Sequence, residues 1–328
     1  MKKCIVTGGA GFIGSNLVEK LIKLNFRVNV IDNLSTGLKS NLKDFEKKIN
    51  FYEKDISDID QLDNIIFKDV DYIFHLAGLA DIVPSIENPE KYFKSNVLGT
   101  FNVLQKCKNH KIKKFIYAAS ASCYGIPKVF PISENCEIMT EYPYALTKNL
   151  GEQIVTHWAK VYNIPFISLR FFNAYGQRSR TTGAYGAMFG VFLAQKLNNL
   201  PLTIVGDGNQ TRDFIHVNDL IDAIIKVTEH STINEIFNVA SGVETSVNKI
   251  AEMIGGNKIS IPKRPGEPER SLADISKIKK TIGWEPKISV NEGIEMLLKD
   301  IDQWKNAPLW TPEKIEDATR PWFKYLKK

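Results

Sequence analysis

The sequence lacks the features that define several classes of protein. No apolar run approaches the roughly 18 uninterrupted residues of a membrane-spanning helix, and Met-Lys-Lys leads directly into a predicted strand, so we expect no leader peptide. Only four cysteines occur, without C-x-x-C or cysteine–histidine spacing, which disfavours a disulfide scaffold and a metal site. The net charge of +6 comes from lysines spread along the chain rather than from one basic patch. These absences predict a cytoplasmic, globular protein with no metal, no nucleic-acid partner and no membrane partner.

The most informative feature that is present is a glycine-dense turn near the start. Gly8, Gly11 and Gly14 recur at intervals of three, after a short β-branched run and before an amphipathic segment at 12–24. A strand, such a turn and a helix are typical of dinucleotide binding, because a missing Cβ lets backbone N–H groups approach a pyrophosphate closely. The next predicted strand ends in Asp32, whose carboxylate suits the two hydroxyls of an adenosine ribose and repels a 2′-phosphate. The turn therefore predicts NAD as the cofactor rather than NADP.

Strand-like and helix-like segments alternate through the first half of the chain. This alternation predicts an α/β fold: a Rossmann-type doubly wound parallel sheet whose ligands bind at the carboxyl ends of the strands. After about residue 175 the elements become shorter, which predicts a smaller C-terminal α/β part that holds the substrate. We expect an NAD-binding domain at 1–175 and a mainly substrate-binding domain at 176–328, some of whose strands and helices return to the first domain. The predicted strands are residues 4–6, 27–31, 51–53, Tyr72–His75, 114–119, 165–170, Leu202–Val205, 214–217, 236–239 and 259–261, and the predicted helices are 12–24, 58–67, 89–109 and 144–162.

Three side chains form a candidate catalytic set. Tyr144 and Lys148 stand four residues apart at the start of a predicted helix, so both project from one face. A tyrosine with its usual pKa near 10 is a poor base at neutral pH, and a nearby ammonium lowers that pKa. Ser120 ends a predicted strand and is placed to hydrogen-bond a reacting hydroxyl and relay its proton to Tyr144.

Further segments accompany this set along nearly the whole chain. They are residues 7–14, 32–33, 55–56, 75–78, Asn96, Ser120, 124–125, Tyr144 with Lys148, 169–173, 212–217 and 273–274. In this order they resemble the extended short-chain dehydrogenases/reductases, in the branch of nucleotide-sugar epimerases and dehydratases. The resemblance implies a bound NAD, a UDP-sugar substrate, and a homodimer formed through the helices at 89–109 and 144–162.

The resemblance also assigns roles to individual residues. It implies that Ser120, Tyr144 and Lys148 are catalytic. It implies that the strand Leu202–Val205 borders the base of the substrate. The implied cofactor-binding residues are Gly8, Gly11, Phe12, Ile13, Gly14, Asp32, Asn33, Asp55, Ile56, Leu76, Ala77, Gly78, Asn96, Tyr144, Lys148 and Phe172. The implied substrate-binding residues are Ser122, Asn173, Phe189, Arg212, Arg264 and Ser271.

The loop after the strand that ends near Ala119 bears on the reaction. Dehydratases of this branch resemble one another in an Asp-Glu pair just before the Tyr-Gly of this loop, and its decarboxylases keep a glutamate there. Here Ala121 and Ser122 occupy those positions, which favours reversible oxidation at one carbon, the chemistry of a 4-epimerase. A UDP-uronate 4-epimerase, a 4,6-dehydratase, a 4-keto reductase and a binding protein that kept the fold remain alternatives.

The segment after Arg264 bears on the sugar. In hexose epimerases a residue of this segment borders the sugar's C2 substituent, and the resemblance puts Ser271 there. A small serine leaves room for an N-acetyl group, so UDP-GlcNAc/UDP-GalNAc and UDP-Glc/UDP-Gal are both candidates. For a uronic acid, Arg178, Arg180 and Arg264 are the candidates to pair the carboxylate. We expect Arg212, Arg264 and Arg270 to meet the diphosphate, because residues 79–81 supply no lysine.

Overall fold

The computed structural model describes residues 1–179 and 188–326. Its strands are β1 Lys3–Thr7, β2 Arg27–Asp32, β3 Ile49–Glu53, β4 Tyr72–His75, β5 Lys114–Ser120, β6 Phe166–Phe171, β7 Asn173–Tyr175, β8 Leu202–Val205, β9 Thr211–His216, β10 Glu235–Val239, β11 Glu244–Ser246 and β12 Lys258–Ile261. Its α-helices are α1 Phe12–Lys23, α2 Asn64–Phe67, α3 Ile82–Glu87, α4 Pro89–Tyr92, α5 Gly99–Cys107, α6 Pro143–Tyr162, α7 Met188–Leu197, α8 Val217–Glu229, α9 Val247–Ile254, α10 Ser276–Ile282, α11 Val290–Lys299 and α12 Pro312–Leu326. Among these described helices, none is long and apolar enough to cross a bilayer.

A seven-stranded sheet forms the centre of the molecule. Its strand order is β10-β6-β5-β4-β1-β2-β3, and every neighbouring pair is parallel. This arrangement confirms the predicted Rossmann-type doubly wound sheet. The strand β10 comes from the second half of the chain and pairs with β6 at the edge of the sheet.

The central strands are apolar because both faces of the sheet are covered. In β1, Cys4 and Val6 belong to the core on one face, whereas Ile5 belongs to the core on the other. Since side chains alternate along a strand, a continuous apolar run is what a sheet buried on both faces requires. The first core packs under α1, α8 and α10, and the second packs under α5 and α6.

A smaller part lies beyond the carboxyl ends of these strands. It contains a three-stranded sheet of order β11-β9-β7 and a two-stranded sheet of β12 and β8. Its separate core includes Phe192, Ile204, Ile250 and Trp304. The carboxyl edge of the large sheet therefore faces a second layer of structure, and a crevice between them is where the fold holds ligands.

Two predicted helices differ from what the chain forms. The segment 58–67 is a short 3-10 turn followed by the four-residue α2, because the Asp58 carboxylate caps the first turn and only Ile66 and Phe67 of α2 are buried. The segment 89–109 is helical throughout its first nineteen residues but passes through a π-helical stretch at Phe93–Leu98 before α5 begins. Hydrophobic periodicity alone does not register such a local change of winding.

Candidate active site

A cavity of about 850 Å³ opens at the carboxyl ends of the central strands. Its wall includes the turns after β1, β2 and β4, and it continues onto α7, β8 and β9 of the smaller part. The predicted site residues in this wall are Gly8, Gly11, Phe12, Ile13, Gly14, Asp32, Asn33, Asp55, Ile56, Leu76, Ala77, Gly78, Ser120, Ser122, Tyr144, Lys148, Phe172, Asn173, Phe189, Arg212, Arg264 and Ser271. Residues more than 260 positions apart in the sequence thus meet around one space.

The glycine turn has the geometry of a pyrophosphate cradle. Gly8 has a φ of +70°, and a Cβ there would lie 2.7 Å from the backbone nitrogen of Ala77. A Cβ on Gly14 would collide with the carbonyl oxygen of Gly8, so the start of α1 can pack on the turn only with glycine. The first turn of α1 begins with Phe12 and is uncharged, so its backbone N–H groups and helix dipole favour an anion. These residues fit the phosphates of NAD.

Asp32 lies at the end of β2 and is 8% exposed. One carboxylate oxygen accepts a hydrogen bond from Ala10 N at 2.9 Å, and the other accepts one from Leu34 N at 2.8 Å. Burial raises the pKa of Asp32, and the two backbone hydrogen bonds oppose that rise. Each oxygen retains acceptor capacity toward the cavity, which suits the hydroxyls of a ribose.

Asp55 and Asn33 form the neighbouring part of this wall. Asn33 donates to the Asp55 carboxylate at 3.0 Å, and Ser57 donates to its other oxygen from both its backbone and its hydroxyl. Burial would raise the pKa of Asp55, but these hydrogen bonds outweigh it and lower the pKa. The carboxylate is therefore ionised and held in one orientation.

Asn96 lies behind the cavity wall rather than in it. It is 1% exposed, and its amide exchanges two hydrogen bonds with the backbone of Leu79, at 2.8 and 3.0 Å. The same amide donates to Thr147 on α6. The position that the resemblance assigned to cofactor binding is thus one that ties the loop after β4 to the helix of Tyr144. A Cβ on Gly78 would lie 2.9 Å from the side-chain oxygen Oδ1 of Asn96, so the loop after β4 packs closely on the Asn96 side chain.

The candidate catalytic side chains meet at the end of β5. The Tyr144 hydroxyl donates to the Ser120 hydroxyl at 3.1 Å, and the Ser120 and Ser122 hydroxyls lie 2.8 Å apart. The three hydroxyls form a short chain along which a proton can move. Ala121 and Ser122 supply no carboxyl group at the position where the dehydratase pattern has its acids.

The electrostatics of Tyr144 differ from the sequence-based expectation. Burial raises the pKa of Tyr144, and the hydrogen bonds with Ser120 and Ser122 only partly offset that rise. The prediction that Lys148 lowers the pKa of Tyr144 below its usual value is therefore wrong for the protein without a bound cofactor. Lys148 is 7% exposed, and its burial lowers its own pKa to about 8, with the Glu152 carboxylate opposing the shift. Its ammonium lies 4.7 Å from the centre of the Tyr117 ring.

A buried network that sequence reasoning missed fixes α6 on the sheet. Tyr117 donates to the Lys148 carbonyl oxygen at 3.2 Å, and Gly151 leaves the space that the Tyr117 hydroxyl occupies. One helical turn beyond Lys148, Glu152 forms a buried ion pair with Arg170 of β6 at 2.6 Å. Because removing one member would leave the other as an uncompensated buried charge, the pair holds the helix that carries Tyr144 in place.

Two predicted arginines share one carboxylate in the smaller part. Arg212 pairs with one oxygen of Glu267 at 2.9 Å, and Arg264 lies 3.8 Å from the other. Glu267 also lines the cavity, and the sequence analysis did not single it out. The sequence signal for Glu267 was its place in a turn, next to a glycine and between two prolines at 265–268. The arrangement leaves a net positive charge at this end, which favours a diphosphate.

Ser271 is placed in the wall by β9. Its backbone N–H donates to the Thr211 carbonyl oxygen at 3.1 Å, which sets it beside Arg212. Nearby, the buried Asp213 carboxylate of β9 accepts hydrogen bonds from Ser241, Gly242 and Ala273, so it ties two loops to β9. Ser271 is partly exposed and its hydroxymethyl group leaves space in the cavity.

The structure does not support the predicted substrate contacts of two other arginines. Arg178 pairs with Glu19 of α1 at 2.5 Å and is not part of the cavity wall. Arg270 is in the wall, but both carboxylate oxygens of Glu244 accept hydrogen bonds from its guanidinium. Arg180 lies outside the described residues. Of the predicted arginines in the described residues, Arg212 and Arg264 are therefore the two that meet at one carboxylate in the cavity wall.

Trp322 and Tyr142 also line the cavity and were not predicted as site residues. Asp81 lies in the wall as well, and its charge acts on Tyr144. In the described residues no group of three or more histidine, cysteine or acidic side chains is arranged to hold a metal ion.

The glycine turn, together with a Ser120–Tyr144 pair in a cavity that Lys148 also lines, is typical of one class of protein, the dinucleotide-binding α/β enzymes. Sequence comparison narrows the class. The profile of the NAD dependent epimerase/dehydratase family matches residues 4–240, and the chain belongs to this family. The membership confirms the predicted resemblance and the predicted NAD cofactor.

Three solved structures show how similar the chain is to known members. The UDP-glucose 4-epimerase of Thermotoga maritima, solved with UDP-glucose, is 32% identical with a TM-score of 0.86, over 92% of this chain and 99% of that one. The UDP-glucuronic acid 4-epimerase of Bacillus cereus, solved with UDP-glucuronic acid and NAD, is 32% identical with a TM-score of 0.84, over 92% and 99%. The UDP-N-acetylglucosamine 4-epimerase of Methanobrevibacter ruminantium, solved with UDP-N-acetylmuramic acid, is 32% identical with a TM-score of 0.85, over 91% and 99%. All three are named 4-epimerases, and they differ in the sugar.

Proposed function

We propose that the protein is an NAD-dependent 4-epimerase that interconverts UDP-GlcNAc with UDP-GalNAc, UDP-Glc with UDP-Gal, or both. The observation that carries this proposal is the 3.1 Å hydrogen bond between Tyr144 and Ser120, in the wall of a cavity that Lys148 of the same helix also lines. When bound, NAD supplies reversible oxidation at one carbon of the sugar. The side chains of the protein supply the proton transfer.

Tyr144 accepts the proton of the sugar's C4 hydroxyl through or beside Ser120, and it returns the proton after the sugar has turned. Because burial raises the pKa of Tyr144, the tyrosine needs nearby positive charge to act as a base. Lys148 is the cationic side chain held on the same face of α6, and it supplies that charge in its protonated form.

The substrate part of the proposal rests on the smaller part of the cavity. Arg212 and Arg264 lie where a diphosphate can bridge them. Phe189, stacked on Tyr175 with ring centres 4.6 Å apart, and the β8 residues Thr203 and Val205 form a wall for a uracil ring. The small side chain of Ser271 leaves room for an N-acetyl group, which places the N-acetylhexosamines first.

The alternatives receive less support from the cavity wall. A uronate would need a cation for its carboxylate. Of the candidates in the described residues, Arg178 is engaged with Glu19 outside the wall, and Arg264 is the residue that we assign to the diphosphate. A 4,6-dehydratase needs both an acid and a base near C5 and C6. Asp81 is an acid near Tyr144, and we retain dehydration as the second candidate on that observation alone. A 4-keto reductase would release its oxidised cofactor, and Asp32 disfavours the NADP that such enzymes usually take.

The test offers UDP-GlcNAc, UDP-Glc and UDP-GlcA separately to the purified protein with no added cofactor. The proposal predicts that at least one of the first two is converted to its C4 epimer, with UDP-GlcNAc the faster where both react, and that the mass of the sugar nucleotide does not change. Loss of water from the sugar would establish the dehydratase instead. Conversion of UDP-GlcA alone would establish the uronate epimerase.

We also propose that the protein is a homodimer with a cytoplasmic location. Large apolar side chains are exposed on the two helical segments that the resemblance implies for dimerisation: Phe93 (50%), Leu98, Leu146, Val161 and Tyr162. The two segments contact each other, and exposed apolar side chains on neighbouring helices suit an interface with a second copy. All four cysteines are free thiols, as a reducing compartment requires. Sedimentation at low micromolar concentration checks the dimer, and a monomer there would reject it.

A further inference from the structure

The C-terminal helix α12 places an aromatic side chain in the wall of the cavity. Trp322 is 3% exposed and lines the cavity together with Tyr142, Arg264 and Glu267. The helix itself packs against α3, which follows the loop after β4 in the cavity wall. A residue near the end of the chain is therefore built into the wall that faces the substrate.

Trp322 is fixed at both its edge and its face. Its indole Nε1 donates to the carbonyl oxygen of Pro265 at 2.5 Å, and the Arg264 guanidinium lies 5.4 Å from the ring centre. These contacts join the end of the chain to the loop that carries Arg264 and Glu267. A ring held in this way is a rigid wall rather than an adaptable side chain.

The same ring lies close to the reacting tyrosine. The Tyr142 ring is 6.3 Å from the Trp322 ring and 6.4 Å from the Tyr144 ring, and it is nearly parallel to the latter at 9°. Trp322 thus stands one aromatic ring from Tyr144 on one side and in contact with Arg264 on the other. If the proposed function is right, the sugar lies between these two points, because its C4 hydroxyl meets Tyr144 and its diphosphate meets Arg264.

We propose that Trp322 is a specificity-determining residue that limits the size of the substituent on the sugar. The inference rests on the proposed function, since that function sets the position of the sugar. The indole ring forms a wall of the sugar portion, and its contact with the diphosphate portion is the one with Arg264. UDP-sugars with a large substituent, such as the lactyl ether of N-acetylmuramic acid, are disfavoured by its bulk.

The test compares Trp322→Ala and Trp322→Phe with the wild-type protein. The dissociation constants of UDP, UDP-GlcNAc and UDP-N-acetylmuramic acid are measured by calorimetry. We expect the preference for UDP-N-acetylmuramic acid over UDP-GlcNAc to rise about tenfold in the alanine variant, and by less in the phenylalanine variant. Loss of the contact with Arg264 weakens UDP and both UDP-sugars by the same factor, so the ratio of the two UDP-sugar constants, each divided by that of UDP, is the readout.

Trp304→Phe is the matched control. Trp304 is also buried, at 1% exposed, and belongs to the core of the smaller part but not to the cavity wall. It is expected to lower the melting temperature without changing the ratio of the two constants. If the Trp322 variants leave that ratio unchanged, or weaken both UDP-sugars equally, the inference is wrong even where the wild type epimerises its substrate. Absence of turnover of any UDP-sugar by the wild type would instead refute the proposed function, and the inference with it.

Discussion

The two ends of the cavity are built by different means. The cofactor end consists mainly of backbone: the turn at Gly8, the start of α1, and the loop after β4 pressed against them. The substrate end consists of long side chains from separate loops, with Arg212 and Arg264 held on Glu267 and Trp322 closing over them. A backbone cradle recognises what all dinucleotides share, whereas side chains on loops can be exchanged to suit different sugars.

Tyr144 lies where the two ends of the cavity meet. Removing its hydroxyl should therefore reduce turnover without weakening the binding of NAD or of UDP. Tyr144→Phe removes the hydroxyl that we propose exchanges a proton with the sugar, and it keeps the ring. We expect turnover to fall about 10³-fold, while UDP binding at one end and retained NAD at the other stay as in the wild type. Steady-state kinetics and NAD release on denaturation measure the two. A variant with near-normal turnover would exclude Tyr144 as the acid and base.

Substitution of Lys148 tests whether keeping a buried lysine in the site lowers the free energy of unfolding. Its pKa of about 8 in the folded protein lies below the value of 10.5 for an exposed lysine. The unfolded chain therefore binds more protons, and wild-type stability should rise as pH increases from about 8 to about 10.5. Lys148→Met should reduce turnover about 100-fold and raise the free energy of unfolding at pH 7 by about 1–3 kcal/mol.

Denaturant unfolding of the wild type and Lys148→Met across this pH range checks the second effect. The advantage of the variant should shrink between pH 8 and 10.5, because the wild-type lysine loses its proton there. Wild-type turnover should also fall above pH 8 for the same reason. An advantage that does not vary with pH would show that burial of the charge is not its cause.

Asp32 tests the cofactor end alone. Asp32→Asn replaces one acceptor oxygen by an NH₂ group that meets a backbone N–H of Ala10 or Leu34. Hydrogen bonds to a charged group contribute about 1.5–3 kcal/mol, so retention of NAD through purification should weaken about 10- to 100-fold. The affinity for UDP should not change. If UDP binding fell in parallel, the two ends of the cavity would not be independent.

Ser271 tests the substrate end alone. Ser271→Tyr fills the space beside Arg212, so activity on UDP-GlcNAc should fall at least about tenfold relative to activity on UDP-Glc. NAD retention should be unaffected. Relative kcat/KM values for the two substrates measure the effect, with Ser271→Ala as the control that keeps the space. Equal losses on both substrates would place Ser271 outside the sugar pocket.

The same contrast explains what could be predicted from the sequence. The cofactor end was predictable because Gly8, Gly11 and Gly14 encode it within one turn, and Asp32 follows in the next strand. The strand Tyr72–His75 was predicted at its observed limits, since its apolar run has no ambiguity of period. Short-range pattern is enough where one βα unit makes the site.

The substrate end was only partly predictable because its contacts join distant segments. Glu267 and Trp322 acquire a role only when folding brings them to Arg264, and hydrophobic pattern does not show that meeting. The pKa of Tyr144 was misjudged for a related reason: spacing along a helix shows that Lys148 is near, but burial of the phenol, which dominates, is set by the packing of α6 on β5.

The central claim is that oxidation and reduction occur at the same carbon, with Tyr144 carrying only the hydroxyl proton. The most direct test is to epimerise UDP-GlcNAc in D₂O without added cofactor and to examine the product by NMR. We predict UDP-GalNAc that retains protium at C4, because the hydrogen removed from that carbon returns to it without exchange with water. Deuterium at C4 would contradict the account. So would consumption of one added NAD for each product molecule formed.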